Sequence, residues 1–185
     1  VLIQAKGYKY RLADLLKDSG KSKFYAGGVF ITIYLAPYNY HRIHSMVSGN
    51  ITEFSYIPGD LWTVSPLGVH HVPGLFARNE RLITYFETEK GECALVKIGA
   101  TVVGRIRVVY HEITSNKPGA KFEKNILAPP FRVERGDEVG LFELGSTVIC
   151  LFPPGQIELN DIKIDQEILL GQALGRFAKL NEIRN

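Results

Sequence analysis

The sequence predicts a mainly-β fold of the α+β class, a single β-sandwich or barrel-like domain (1–185) with a few short helices. Three observations carry that expectation. Apolar residues alternate with polar ones at period two, or form short β-branched runs, along most of the chain. These runs are closed off by Gly, Pro and Asn, the residues that turn a chain sharply. A length of 185 residues with 45% hydrophobic and 22% charged side chains gives one domain enough apolar surface to offset the entropy of ordering. The 18 Gly and 9 Pro follow no period, which excludes collagen-like and coiled-coil chains.

The elements follow in chain order. Tyr10-Arg11-Leu12-Ala13-Asp14-Leu15-Leu16 sets apolar residues at helical spacing and meets a stop at Ser19-Gly20. Strands are expected at 29–35, 49–57, 81–87, 93–98, 100–110 and 146–152, where β-branched and aromatic residues concentrate. A second short helix is expected after Val72-Pro73-Gly74. Segment 114–130, rich in Lys, Asn, Pro and Gly, reads as a long surface loop. Late in the chain, Val133-x-x-Gly136-x-x-Val139-Gly140-x-Phe142 is echoed by Ile168-x-x-Gly171-x-x-Leu174-Gly175-x-Phe177, with glycines where tight turns need positive φ. The echo resembles the turn-plus-strand units of biotinyl- and lipoyl-carrier sandwiches. No Met-Lys hairpin tip accompanies it, so two similar β-turns are the simpler reading.

Charge and cysteine content narrow the function classes. Lys and Arg total 22 against 19 Asp and Glu, a net charge of +3. That is too weak to indicate nucleic acid but is compatible with an anionic membrane surface. Cys93 and Cys150 lie within apolar runs and read as small buried hydrophobes. No run approaches the roughly 20 apolar residues of a spanning helix. The chain begins at Val1-Leu2-Ile3 without an initiator Met or signal-peptide pattern, as a fragment would.

Two clusters can carry chemistry. In Leu144-Gly145-Ser146-Thr147, the Ser146 hydroxyl can attack the carbonyl of Gly145 and convert the peptide to an ester, which a glycine hinders least. β-Elimination then releases the upstream chain and leaves dehydroalanine, which hydrolyses to a pyruvoyl group and ammonia. The same four residues also form an ordinary turn before a strand. In Tyr40-His41-Arg42-Ile43-His44, either histidine can serve as a base for a serine hydroxyl, or be a plain surface or core residue. A zinc site lacks a Cys pair, a third His or a His-Glu-x-x-His helix, and on a strand the side chains of His70 and His71 diverge.

Seven ordered segments together resemble phosphatidylserine decarboxylase across nearly the whole chain. They are Gln4-Ala5-Lys6-Gly7, Tyr34-Leu35-Ala36-Pro37, Tyr40-His41-Arg42-Ile43-His44, Pro58-Gly59-Asp60-Leu61, the 76–81 block (Phe-Ala-Arg-Asn-Glu-Arg), Gly99-Ala100-Thr101-x-Val103-Gly104, and Leu144-Gly145-Ser146-Thr147. The resemblance implies self-cleavage at Gly145–Ser146, which gives a β chain (1–145) and an α chain (146–185) from one precursor. The cofactor it implies is a pyruvoyl group derived from Ser146, with no pyridoxal phosphate and no metal. His44 is implied as the general base of a Ser-His-Asp relay, His41 as a participant in decarboxylation, and Leu75 and Phe76 as lining of the substrate pocket.

The reaction so implied is condensation of the serine amine of phosphatidylserine with the pyruvoyl carbonyl as a Schiff base, loss of CO₂, and release of phosphatidylethanolamine. The implied partners are the lipid, a membrane surface bound peripherally (in a bacterium, the inner membrane), and a second copy in a homodimer, with no nucleic acid. The family's relay Asp stands in a Pro-x-Asp-Gly segment that has no counterpart here, consistent with an N-terminally incomplete chain, and no residue is assigned to it. Two other readings are a pyruvoyl-dependent decarboxylase of a soluble aromatic amino acid and a lipid-binding β-domain that never cleaves. The first goes with Gly-Gly-Ser-Ser rather than Leu144-Gly145-Ser146-Thr147.

Overall fold

A computed structural model of the chain describes residues 2–5, 8–65, 68, 71–101 and 105–179. A six-stranded antiparallel sheet forms its centre. Its strands are β3 (Val29–Tyr34), β5 (Gly49–Ile57), β6 (Arg81–Thr88), β7 (Gly91–Ile98), β10 (Glu123–Val133) and β12 (Thr147–Phe152), in the spatial order β10-β5-β6-β7-β12-β3. A four-stranded sheet, β4 (Arg42–His44), β8 (Ile106–Val108), β9 (His111–Thr114) and β11 (Glu138–Phe142), has the order β4-β11-β8-β9. Two small hairpins complete it: β1 (Leu2–Ala5) with β2 (Tyr8–Arg11), and β13 (Ile157–Leu159) with β14 (Gly175–Phe177).

The central sheet is covered on both faces, so its strands read as nearly continuous apolar runs. Register sets Phe54, Thr84, Leu95 and Cys150 in one row, facing the smaller sheet. There Tyr110 packs on Phe54 with ring centroids 5.7 Å apart and hydrogen-bonds Thr84 at 2.6 Å. The opposite face carries Arg81 and Tyr85 against helices α1 (Leu12–Leu16) and α2 (Ser19–Phe24). The Arg81 guanidinium donates to the carbonyls of Leu15 (2.6 Å), Asn79 (2.7 Å) and Asp14 (2.8 Å), and burial lowers its pKa to about 10. The Lys21 ammonium sits 4.3 Å from the centre of the Tyr85 ring. Helix, sheet and sheet therefore form three layers around a mainly-β core.

One lysine breaks the apolar pattern of that core. Lys97 is fully buried on the face toward the smaller sheet, and its ammonium donates to Thr84. Burial lowers its pKa to about 7. Cys93 and Cys150 are both buried and free, as their apolar surroundings imply.

The expected strands at 29–35, 49–57, 81–87, 93–98 and 146–152 are present within two residues at each end. Three readings need correction. The loop expected at 114–130 is confined to 115–122: from Glu123 the chain enters β10, which pairs with β5 as far as Val133, and its register shifts between Ile126 and Phe131, where two prolines sit. Prolines are tolerated there because an edge strand with a bulge leaves some main-chain donors unused. The strand expected at 100–110 contracts to β8, with Ala100, Thr101, Arg105, Val109 and Tyr110 outside it and 102–104 outside the described residues. The helix expected from Tyr10 begins only at Leu12, because Tyr8–Arg11 pairs with β1, and the stop at Ser19-Gly20 is instead the first turn of α2. There the Asp18 carboxylate accepts the Lys21 N–H at 2.9 Å and caps the helix. The short helix after Gly74 is α3 (Leu75–Arg78). Of the four echoed glycines, the first of each unit takes positive φ, 97° at Gly136 and 83° at Gly171, shortly before a strand, whereas Gly140 and Gly175 lie within strands without it.

Candidate functional site

The segment 143–146 crosses from β11 in the smaller sheet to β12 in the central one, so the bond between Gly145 and Ser146 lies at the seam of the two sheets. Residue 146 extends β12 by one position. Its carbonyl accepts the Leu35 N–H at 2.6 Å, and its hydroxyl donates to the Ile98 carbonyl. The side chain is completely buried. Gly145 is wedged against the facing chain, where a Cβ would lie 2.5 Å from the Leu35 carbonyl oxygen and 2.9 Å from the carbonyl carbon of Ala36. Both neighbours are backbone and cannot swing aside, so only glycine fits.

His41 meets this bond from the smaller sheet. The Gly145 N–H donates to His41 Nε2 at 2.9 Å. A ring nitrogen that accepts carries no proton, so the tautomer is Nδ1–H. The 3.0 Å approach of Nε2 to the Pro37 carbonyl is then a contact of two acceptors. Nδ1 is buried with no hydrogen-bond partner.

His44 lies further along β4. Register puts it opposite Glu138, whereas the Phe142 N–H donates to the His41 carbonyl. Three residues of extended chain separate the two histidines by about 10 Å. His44 Nδ1 donates to the Gly136 carbonyl at 2.7 Å, and Nε2 accepts from the Tyr40 hydroxyl at 2.9 Å. The Tyr40 and His44 rings stack with centroids 5.7 Å apart. The structure thus joins His41, Gly145 and Ser146, and holds His44 in a separate pair with Tyr40.

Leu75 and Phe76 are core residues, 3% and 2% exposed, on the buried face of α3. His70 lies outside the described residues, as do Lys6, Gly7, Val103 and Gly104 of the motif segments. Among the described residues no group of three His, Cys, Asp or Glu could hold a metal ion, and no helix is long and apolar enough to cross a membrane.

Other residues, to which the sequence alone attached no role, gather at the seam. Asn79 is fully buried, and its amide donates to the carbonyls of Trp62 and Gly99, both at 2.7 Å, while accepting the Trp62 N–H at 3.0 Å. It pins the 60–62 segment to Gly99, the position next to Ser146 across the sheet. Around this end of the sheet, Tyr38, Tyr40, Trp62 and Leu144 are all exposed. The only advance signal for Asn79 was its place in the 76–81 block.

Comparison with known proteins adds to this geometry. A family model described as phosphatidylserine decarboxylase matches residues 1–176. The chain is similar to the phosphatidylserine decarboxylase proenzyme of Anaeromyxobacter sp. (strain K), 46% identical over 177 residues that make up 94% of this chain and 63% of the relative. It is similar to that of Myxococcus xanthus (strain DK1622), 44% identical over 176 residues, 94% of this chain and 62% of the relative. The proenzyme of Brevibacillus brevis is 46% identical over 177 residues, with 94% and 63% covered. The chain spans just under two thirds of the length of these curated relatives.

Proposed function

The chain belongs to the phosphatidylserine decarboxylase family, and from that premise we propose that the protein breaks its own Gly145–Ser146 bond and then decarboxylates phosphatidylserine to phosphatidylethanolamine. One observation carries the reading. The peptide before Ser146 is held in a slot that admits only glycine, with its carbonyl-bearing residue tied to His41 and its serine buried out of water. That combination favours attack by a neighbouring hydroxyl over hydrolysis.

In the uncut chain the Ser146 hydroxyl rests on the Ile98 carbonyl, and attack on Gly145 requires it to leave that acceptor and lose its proton to a base. We assign the base to His44, as the family motif implies. Its Nδ1–H is fixed by the Gly136 carbonyl, which leaves Nε2 as the basic nitrogen. That orientation is half of what a relay acid provides. His44 must exchange its Tyr40 partner to act. His41 is assigned to the reaction that follows, beside residue 146.

A pyruvoyl group made from Ser146 fits the space that serine already fills, since it is planar and smaller, and its carboxyl-side carbonyl keeps the Leu35 N–H. Its ketone supplies a carbonyl that condenses with the serine amine of the lipid and takes up electrons as CO₂ leaves, without pyridoxal phosphate or metal. The lipid's acyl chains stay in a bilayer, so the protein works peripherally at a membrane surface. The exposed Tyr38, Trp62 and Leu144 are suited to that interface, and Leu75 and Phe76 support the pocket from beneath.

Denaturing mass measurement tests the reading. The expected result is two pieces, 1–145 and 146–185, with the second carrying pyruvoyl in place of serine, and one uncut, inactive chain for Ser146→Ala. His44→Ala stays uncut, whereas His41→Ala cleaves but turns over slowly. A single uncut mass in active protein would sink the mechanism, and uncut His41→Ala beside matured His44→Ala would reverse the two roles.

A further inference from the structure

The row of residues that contains Ser146 holds a second chemical group. Arg81, Ile98 and Thr147 are register partners across β6, β7 and β12, and the next position outward brings Glu80, Gly99 and Ser146 into line. The Gly99 N–H donates to the Glu80 carbonyl at 2.7 Å, which confirms the alignment of that pair. Adjacent strands are about 4.8 Å apart, so Glu80 and Ser146 flank Gly99 on one face of the sheet. Gly99 has no side chain to separate them.

The Glu80 carboxyl fills the gap. It is 4% exposed. Oε1 accepts from the Tyr56 hydroxyl and from the Asn116 N–H, the latter at 2.7 Å. Oε2 is buried with no hydrogen-bond partner. A Cβ placed on Gly99 would lie 3.2 Å from that oxygen and 3.2 Å from the Leu61 side chain. One oxygen is thus anchored while the other lies over Gly99, on the side from which Ser146 projects. The nearby cations are committed elsewhere: Lys97 to Thr84, and Arg81 to carbonyls on the opposite face. A buried carboxylate oxygen without a donor costs stability, and the chemical complement that removes this cost is a cation with N–H groups.

We propose that Glu80 is a further catalytic residue of the Ser146 site, whose free oxygen receives the primary ammonium of the substrate and takes its proton. The proposal rests on the reading above, in which residue 146 becomes a ketone. The ammonium gives one proton to Glu80, which leaves a neutral amine whose lone pair forms the new C–N bond. Glu80 returns that proton to the former ketone oxygen, the newly bonded nitrogen gives up a second proton to the same oxygen, and the oxygen departs as water, so the carboxylate is restored and the third proton stays on the nitrogen. The bond to Tyr56 and Asn116 keeps the group in place throughout.

The test uses the matured protein, wild type and Glu80→Gln, with three mass readouts. Cleavage products report maturation. Reaction with hydroxylamine, an amine that is uncharged at neutral pH, reports the ketone as an oxime. A short-chain phosphatidylserine with borohydride reports capture of an ammonium as a reduced covalent adduct. The expected outcome is normal cleavage and normal oxime yield in Glu80→Gln, with lipid capture slowed roughly a hundredfold. In the uncut Ser146→Ala background, Glu80→Gln melts no lower than its parent, since an amide replaces an unpaired buried carboxylate. Lipid capture equal to wild type at equal oxime yield overturns the role of Glu80. Absence of cleavage and oxime in the wild type overturns the reading beneath it instead. If Glu80→Gln does not mature, Gly99→Ala displaces Oε2 by a few tenths of an ångström, and capture as fast as wild type in that variant also overturns the proposal.

Discussion

Single residues at the seam are held to narrow tolerances. Gly145→Ala puts a methyl group 2.5 Å from the Leu35 carbonyl oxygen, so either the 143–146 segment or β3 must move. Overpacking of this kind costs about 1–3 kcal/mol. The expected outcome is a lower Tm and self-cleavage slowed at least about tenfold, since a displaced carbonyl is no longer in line with the Ser146 hydroxyl; unchanged cleavage on a denaturing gel would refute the slot argument. Lys97 allows a pH test. Its folded pKa, about 7, lies below the ordinary 10.5, because burial disfavours the charged form. Between these values the folded protein binds fewer protons than the unfolded chain, so this residue's contribution makes stability rise with pH. Lys97→Met therefore raises Tm at pH 7, and the gain shrinks by pH 10. Melting curves of the uncut Ser146→Ala background at the two pH values check this, and an equal gain at both would contradict it.

At the scale of elements, helix α2 rests on one carboxylate. The Asp18 side chain accepts the Lys21 N–H at 2.9 Å and pairs with Lys124 at 3.2 Å, and the first of these holds its pKa below the ordinary carboxylate value. Asp18→Ala is expected to cost about 1 kcal/mol, a Tm drop of about 2–4 °C, while Asp18→Asn keeps most of the cap. Because the folded pKa is depressed, this contribution is present at neutral pH and fades as acid protonates the group below its ordinary value of 3.8. The same helix was not legible in the sequence, where Ser19-Gly20 read as a stop rather than as its first turn. The central strands were readable because burial on both faces gives unbroken apolar runs, and Gly145 and Ser146 stood out as candidates because the chemistry proposed for them depends on adjacency along the chain. Strand β10 was not, since its residues are largely exposed and its place is set by main-chain bonds to β5. The pairing of His41 with Gly145, and of Glu80 with Gly99, joins segments distant in sequence; only the register of the folded sheets brings them together.

For the molecule as a whole, the position of β12 governs what the proposed cleavage would do. Thr147–Phe152 is buried along its whole length between β7 and β3, paired with both. Breaking the Gly145–Ser146 bond removes one covalent link but none of these ladders, nor the β13–β14 hairpin that follows. The pieces 1–145 and 146–185 are therefore expected to migrate as one species on native gel filtration and as two only in denaturant. Elution of a free 146–185 piece under native conditions would count against this account. The exposed Tyr38, Tyr40, Trp62 and Leu144 belong to the end of the sheet that carries Gly145 and Ser146, so the bilayer contact and the chemistry proposed above would share one end of the molecule.

The burial of β12 between two strands of the other piece also alters the molecularity of folding. The uncut chain folds as a unimolecular reaction, and its stability is independent of how dilute it is. Once cut, the unfolded state is two separate molecules, and regaining the native state requires an encounter between them. The apparent stability of the matured protein then depends on its concentration by mass action, and dilution favours dissociation on unfolding. The cleavage proposed here would convert a foldable precursor into an assembly whose return from the unfolded state is slowed by dilution.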